Sequence, residues 1–429
     1  MSNMLPNEQV KKIYSMNGIE IYNIRATKFK TNTINIFFHD SLSRENAAKN
    51  ALLPAVLRRG SEAYPTFGDI ALYMESLYGA AFDCGVAKKG ERQIIQFYMD
   101  FVSDSYAGEG QRLFEKAFEF LEGLITKPAL QNGVFNGEYV RQEKENLKRL
   151  IESRVNDKMQ YGVERCLEEM CREEPFGIYE YGSVSDLDSI DGKTLYEHYI
   201  SFLKSLPVSI YITGDMDAEY IKKVTSKFTA IQRQNVKTID PPVISVDSRE
   251  QKNITEKMDV NQGKLSLGFR TNICASSPDY HSLMVYNGIL GGGLHSKLFQ
   301  NVREKAGLAY YAFSRLEKFK GLMVISSGIE ISNRDKAEEI ILKQLEEVKK
   351  GNVSEYEYKS SIKSLETAVK SLGDSQLGIV DFYLGQSVAG TNDTFDTMLE
   401  KIRNVSIQNA IAVSQNIVPD TVYFLTSNN

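Results

Sequence analysis

Segments of this chain echo one another in the same order on either side of a Pro-Pro pair, and that repetition limits the fold more than any other feature. "LPVSIYITGD" (Leu206–Asp215) closes the first half and "VPDTVYFLTSN" (Val418–Asn428) closes the second. Each places Pro ahead of a β-branched and aromatic run, the composition of a strand. "LYGAAFD" (Leu77–Asp83) is echoed by "LAYYAFS" (Leu308–Ser314), and "GEYVRQEKENLKRLI" (Gly137–Ile151) by "YEYKSSIKSLETAV" (Tyr356–Val369). Ordered echoes around a break are how a duplicated domain reads in sequence. The break is Gln232–Asn253, where Pro241–Pro242 and mixed polar residues favour an extended connection.

Each half has the same coarse layout. "GIEIYNIRAT" and "TNTINIFFHD" open the first half as strands, and "NITEKMDV" with "GKLSLGFRT" opens the second. Ile34, Ile36 and Phe38 alternate with polar neighbours, which predicts a strand buried on one face. Helical segments follow, then the strands "RQIIQFYMDFV" and "GLMVISSGIE", then long helices. The run from Val134 to Glu174 is rich in Glu, Lys, Arg and Leu and has no Pro before its end, which predicts one long helix. The expected fold class is therefore α+β: two tandem duplicated domains, each an antiparallel-rich sheet with helices on one face. The expected domains are 1–231 and 254–429, with 232–253 as linker.

Composition excludes several functions. The net charge of −5 makes no electrostatic case for nucleic acid. No apolar run reaches the ~18–20 residues of a membrane span, and the opening "MSNMLPNEQVKKIYSMNG" has no apolar core of signal-peptide length. A cytoplasmic location is expected. Cys84, Cys166, Cys171 and Cys274 form no zinc-knuckle spacing and read as buried or half-buried thiols. His39, His198, His281 and His295 are far apart in sequence, and His39 beside Asp40 lacks local partners for a metal.

The chemistry concentrates in "GGGLHSKLFQNVREKAGLAYY" (Gly291–Tyr311). It is not a phosphate loop: Lys297 stands four residues after Gly293 instead of directly after a glycine, and Ser296 sits where a dinucleotide motif needs its third glycine. Read plainly, the glycines end one helix with a positive φ, and Leu294, Leu298 and Val302 form the apolar face of the next. With its context, however, "LGGGLHSKLFQNVREKAGLAYYAFS" resembles the pitrilysin–insulinase–mitochondrial processing peptidase family, and the resemblance covers essentially the whole chain. It implies that Arg303 and Tyr310, seven residues apart, contact a peptide substrate near its scissile bond, presented by the Gly291, Gly292 and Gly293 turn. An Arg or a Tyr hydroxyl can hydrogen-bond a carbonyl and stabilise negative charge developing on it.

Active members of that family carry an inverted zinc motif, His-x-x-Glu-His, and a downstream Glu as third ligand. Setting Gly60–Ser61 on the turn that follows the motif puts Ala51, Leu52, Leu53, Pro54 and Ala55 on its five positions. None can ligate zinc or act as a base. The nearest match to the third ligand is Glu143, which reads on its own as part of a solvated helix face. The resemblance thus implies a non-catalytic member, with no metal and no catalytic residue of its own, acting as the substrate-gripping subunit of a heteromeric zinc peptidase. Zinc would sit only in a homologous partner subunit, and hydrolase activity would need that partner. The alternative is a peptide- or protein-binding scaffold that supports another enzyme, for example in translation-factor modification, without proteolysis. Without its partner, a duplicated chain with open sheet edges is also a candidate homodimer.

Overall fold

In the computed structural model, described for residues 9–244 and 250–428, both halves build a sheet of the same plan. The first sheet holds β1 (Gln9–Met16), β2 (Ile19–Arg25), β3 (Thr31–Ser41), β4 (Ala81–Lys89), β5 (Arg92–Val102) and β6 (Val208–Gly214), in the order β1-β2-β6-β3-β5-β4. The second holds β7 (Lys252–Lys257), β8 (Gly263–Arg270), β9 (Ala309–Glu317), β10 (Leu322–Ile329) and β11 (Val418–Thr426), in the order β7-β11-β8-β10-β9. Dropping β1 makes the orders identical: β6 and β11 each insert as the closing strand between the first two of their half. Each runs parallel to one neighbour and antiparallel to the other. These closing strands are the "LPVSIYITGD" and "VPDTVYFLTSN" echoes, so the duplication in sequence is a duplication of topology.

The chain divides into two compact units. The first comprises residues up to Ser153 together with Ile178–Asp240; the second comprises Arg154–Gly177 and Pro241–Asn429. In the first unit α1 (Ala47–Leu57), α2 (Phe67–Ser76), α3 (Leu113–Thr126), α4 (Gly137–Ser153), α6 (Gly192–Ser205) and α7 (Ala218–Thr229) surround a core that includes Ile34, Ile36 and Phe38 of β3 and Ile95, Phe97 and Met99 of β5. β3 is buried on both faces, including Asn35 and Phe37, and not on the one face that alternation suggested.

Between α4 and α6 the expected long helix breaks. A 3-10 turn at Arg154–Asn156 separates α4 from α5 (Lys158–Met170), and the Asp157 side chain caps α5 by accepting from the Gln160 amide. The break is where the chain passes from one unit to the other. Val163, Cys166, Leu167 and Met170 of α5 pack against Leu322, Val324, Tyr423 and Leu425 on one face of the second sheet. The opposite face, with Leu265, Leu267, Met323, Ile325, Val422 and Phe424, is covered by α8 (Tyr280–Gly291), α9 (Arg334–Lys349) and α13 (Ile407–Ser414). α10 (Glu355–Leu372) packs on α8, while α11 (Gln376–Ala389) and α12 (Phe395–Arg403) complete the unit. A division at 232–253 does not capture the exchange of residues 154–177.

An ionic network fixes that exchanged segment. Arg270, almost fully buried, donates to Asp420 at 2.9 Å and to Glu174 at 2.7 Å, and buried Lys320 reaches Glu174 at 2.8 Å. Burial works against the Glu174 charge, but the hydrogen bonds from Arg270 and Lys320 outweigh it and hold its carboxyl at about 2. Of the expected linker, 232–240 is strapped to the first unit: the Gln234 and Lys237 amides donate to the Lys204 and Ser205 carbonyls, and Lys237 Nζ lies 2.9 Å from Asp40. Residues 245–249 of it lie outside the described residues. Among the described residues, no helix is long and apolar enough to cross a membrane.

Candidate functional site

The positions that resemble a zinc motif lie on α1, a helix buried along most of its length. Its underside is pinned by Asn50, the residue before the motif. Asn50 Nδ2 donates to Asp40 at 3.0 Å and to Gln93 at 2.9 Å, and its Oδ1 lies 2.8 Å from His198 Nε2. The next turn offers no donor atoms to a metal: Ala51, Leu52, Leu53 and Pro54 are buried and Ala55 is half-buried. Pro54 also lacks the amide that would bond to the Asn50 carbonyl. The turn expected after the motif is present. Gly60 is needed there because a Cβ would lie 2.5 Å from the Pro65 carbonyl oxygen.

Glu143 is not the solvated side chain that the helical pattern suggested. It projects from α4, which packs on α1, and its side chain is only 13% exposed. Arg59, 28% exposed, binds Glu143 Oε1 through both Nε and Nη2, and Asn146 donates to Glu143 Oε2 at 3.0 Å. The Arg59 guanidinium also lies over the Tyr139 ring, 5.4 Å from its centroid. The carboxylate that matches the third zinc ligand is thus neutralised by an arginine from the turn that directly follows the motif helix.

Ala55, Arg58, Arg59, Phe67, Cys84 and Glu143 line an open cleft of about 350 Å³ here. Cys84 does not convert it to a metal site. Burial pushes its thiol up to about 12, with Arg58 opposing, and it donates to the Pro54 carbonyl at 3.2 Å. The residues present do not fit zinc: two positions carry methyl groups, one a proline, and the remaining carboxylate is engaged by a cation. Nor do the histidines assemble elsewhere. His39 pairs with Ser209 at 2.7 Å, His281 lies against Met398 and Asp393, and His295 pairs with Ser361 at 3.0 Å. Burial, aided by Arg92 for His39 and by Lys49 for His198, lowers both imidazoles to about 4. Among the described residues, no three His, Cys, Asp or Glu side chains converge as a metal site. Sequence reading did not single out Arg58, Arg59 or Phe67, and took Cys84 only as a buried or half-buried thiol. The adjacent arginines in "VLRRG" were the visible signal.

In the second unit α8 ends at Gly291–Gly292 without the positive φ expected of the glycines. Gly291 has a different reason to be glycine: a Cβ would stand 2.3 Å from the Ser314 amide nitrogen of β9. Gly292 is exposed, and a Cβ at Gly293 would meet only the His295 ring, at 3.1 Å. Leu294 lies in the turn and is 70% exposed, so it is not part of the apolar face that Leu298 and Val302 do form. The helix begins only after it and passes into a π-helix over Phe299–Lys305, closed by the Ala306 amide donating to the Asn301 carbonyl. Single π turns recur at functional positions because they re-aim side chains. Arg303 emerges here, 42% exposed, its guanidinium 4.7 Å from the Phe299 ring centroid and its nearest carboxylate Glu304 at 3.8 Å. Tyr310 stands at the start of β9, the edge strand, and is 57% exposed. The structure thus presents Arg303 and Tyr310 to solvent from one π-turn–strand junction, while Gly291 is a packing residue.

A duplicated sheet-and-helix chain with a donor-free motif helix defines the class: a zinc-peptidase fold without its metal ligands. The chain belongs to the peptidase M16 family. A family model described as "Peptidase M16 inactive domain" matches residues 189–365. "Probable inactive metalloprotease YmfF" of Bacillus subtilis (strain 168) is 35% identical over 409 residues, 95% of this chain and 96% of that protein. The crystal structure of a conserved protein from Enterococcus faecalis V583 has a TM-score of 0.90 at 29% identity, covering 98% of this chain and 99% of that one. A peptidase M16 inactive domain from Pseudomonas fluorescens shares the fold, with a TM-score of 0.80 at 16% identity over 99% of each chain. The chain is thus an inactive-type homologue of zinc peptidases, as the sequence resemblance implied.

Proposed function

We propose that this chain is the non-catalytic subunit of a heteromeric zinc peptidase and holds peptide substrate for a zinc-bearing homologous chain. One contrast carries the reading. The motif helix has lost every metal donor and Glu143 of α4, the match to the third ligand, is neutralised by Arg59, whereas Arg303 and Tyr310 stay exposed and uncommitted to a buried partner. An exposed guanidinium stacked on an aromatic ring is preorganised for a peptide carbonyl at little entropic cost. The peptide would bind through its backbone, and the partner would supply zinc, general base and bond cleavage.

The test is a mixture of this chain with a zinc-bearing homologue from the same genome, assayed on a quenched-fluorescence peptide. Arg303→Ala is expected to lower the partner's kcat/KM by about 10²-fold or more, in line with the loss of a single donor to developing charge, and Tyr310→Phe by less. Unchanged turnover with Arg303→Ala in a complex that still forms would refute the gripping role. Stable capture of peptide with no cleavage in any mixture would favour a scaffold.

A further inference from the structure

We infer that the cleft beside α1 binds a carboxylate, the free C-terminal end of a peptide whose last side chain is apolar. The inference goes beyond the gripping role of Arg303 and Tyr310 and does not depend on it.

The charge balance of the lining carries the argument. Arg59 and Glu143 neutralise one another, so neither charge is left over. Arg58, next in the chain and half-exposed, is held only at 3.4 Å by Asp83, itself largely exposed. Asp83 is moreover tethered to its own strand, its Oδ1 accepting from the Cys84 amide at 2.9 Å. An incoming carboxylate can therefore take the Arg58 guanidinium in a bidentate pair without breaking a buried interaction. The rest of the lining is uncharged: the Ala55 methyl, the exposed ring of Phe67, and a Cys84 thiol that burial keeps protonated. Such a surface suits an apolar side chain. The volume of about 350 Å³ lies at the small end of ligand pockets, right for a terminal residue and little more. Ala55 contributes to that space, because a side chain long enough to ligate a metal would reduce it.

The chain contains no Trp, so a synthetic peptide with one Trp can be followed by its own fluorescence. The probes are acetyl-Ala-Ala-Trp-Leu as the free acid and as its C-terminal amide, titrated with the full chain. The acid is expected to bind about tenfold more tightly than the amide, the scale of one charge-assisted pair. Arg58→Gln should abolish that preference, and Asp83→Asn, which removes the competing carboxylate, should widen it. Arg303→Ala should leave it intact, which separates this site from the gripping role. Circular dichroism confirms that each variant is folded. Equal binding of acid and amide to the unmodified chain, a preference that survives Arg58→Gln, or one that vanishes with Arg303→Ala would overturn the inference.

Discussion

Replacing Arg59 with Leu probes how an arginine takes the place of a metal beside Glu143. Two unit charges about 4 Å apart attract by about 4 kcal/mol at an effective dielectric near 20. Both side chains keep some contact with water, at 28% and 13% exposure, so about half of that is a fair expectation for the pair. Stacking of Arg59 on Tyr139 adds about 0.5 kcal/mol. Arg59→Leu should therefore cost roughly 2–3 kcal/mol, since it strands a mostly buried carboxylate. Glu143→Gln should cost less, roughly 1–2 kcal/mol, since Arg59 is the more exposed partner and can turn to solvent. The double variant should cost clearly less than the sum, with a coupling of about 2 kcal/mol. Urea unfolding of the four proteins, followed by circular dichroism, measures the cycle. Additivity to within about 0.5 kcal/mol would refute the ion-pair account and return Glu143 to the solvated helix face.

Three further outcomes follow from other parts of the structure. His39 and His198 sit at about 4, so the native state stays neutral while the unfolded chain takes up protons below its ordinary value of 6.5. Stability should be full above about pH 6.5 and fall by up to about 3 kcal/mol per histidine towards pH 4. Glu174, at about 2, adds a separate loss between about 4.5 and 2. A urea midpoint that is flat from pH 7 to 4, or that falls as steeply in His198→Gln, would contradict this. Gly291→Ala should destabilise by roughly 1–3 kcal/mol, because its Cβ runs into backbone, whereas Gly293→Ala should fall within about 0.5 kcal/mol; thermal melts of the two variants decide it. Among the cysteines, burial pushes Cys84 and Cys171 up to about 12 and raises Cys166 as well. Half-buried Cys274, where hydrogen bonds from Ser276 and Ser277 overcome the effect of burial, is lowered. Iodoacetamide at pH 7.5 should alkylate Cys274 first, as peptide mass mapping would show; equal labelling of Cys166 would count against the burial argument.

The duplicated sheet was legible because strand periodicity and the two Pro-led closing strands are local signals, and β6 and β11 fall where those segments read. The loss of metal ligands was legible for a similar reason: it is a matter of residue types at fixed spacing on one helix. What escaped was set by distance in the chain. Glu143 sits in a run of helix-forming charges, and nothing near it in sequence distinguishes a solvated carboxylate from one bound by Arg59, 84 residues away. The break before α5 was hidden because Glu, Arg and Lys support a helix on both sides of it. Only Asp157 as a cap marked it, and the reward for breaking is burial of Val163, Cys166 and Met170 on the other sheet. Leu294 was misplaced because a regular helical period was extended back through a turn, and the π-helix over Phe299–Lys305 departs from that period altogether.

The most direct test of the central claim is zinc content and peptide turnover of the purified chain, alone and then mixed with a zinc-bearing homologue from the same genome. The account predicts well under one zinc per chain and no turnover alone, followed by turnover on mixing that exceeds the homologue's own. Stoichiometric zinc with turnover from the chain alone would contradict it, because no described cluster around Ala51–Ala55 and Glu143 could then account for the metal.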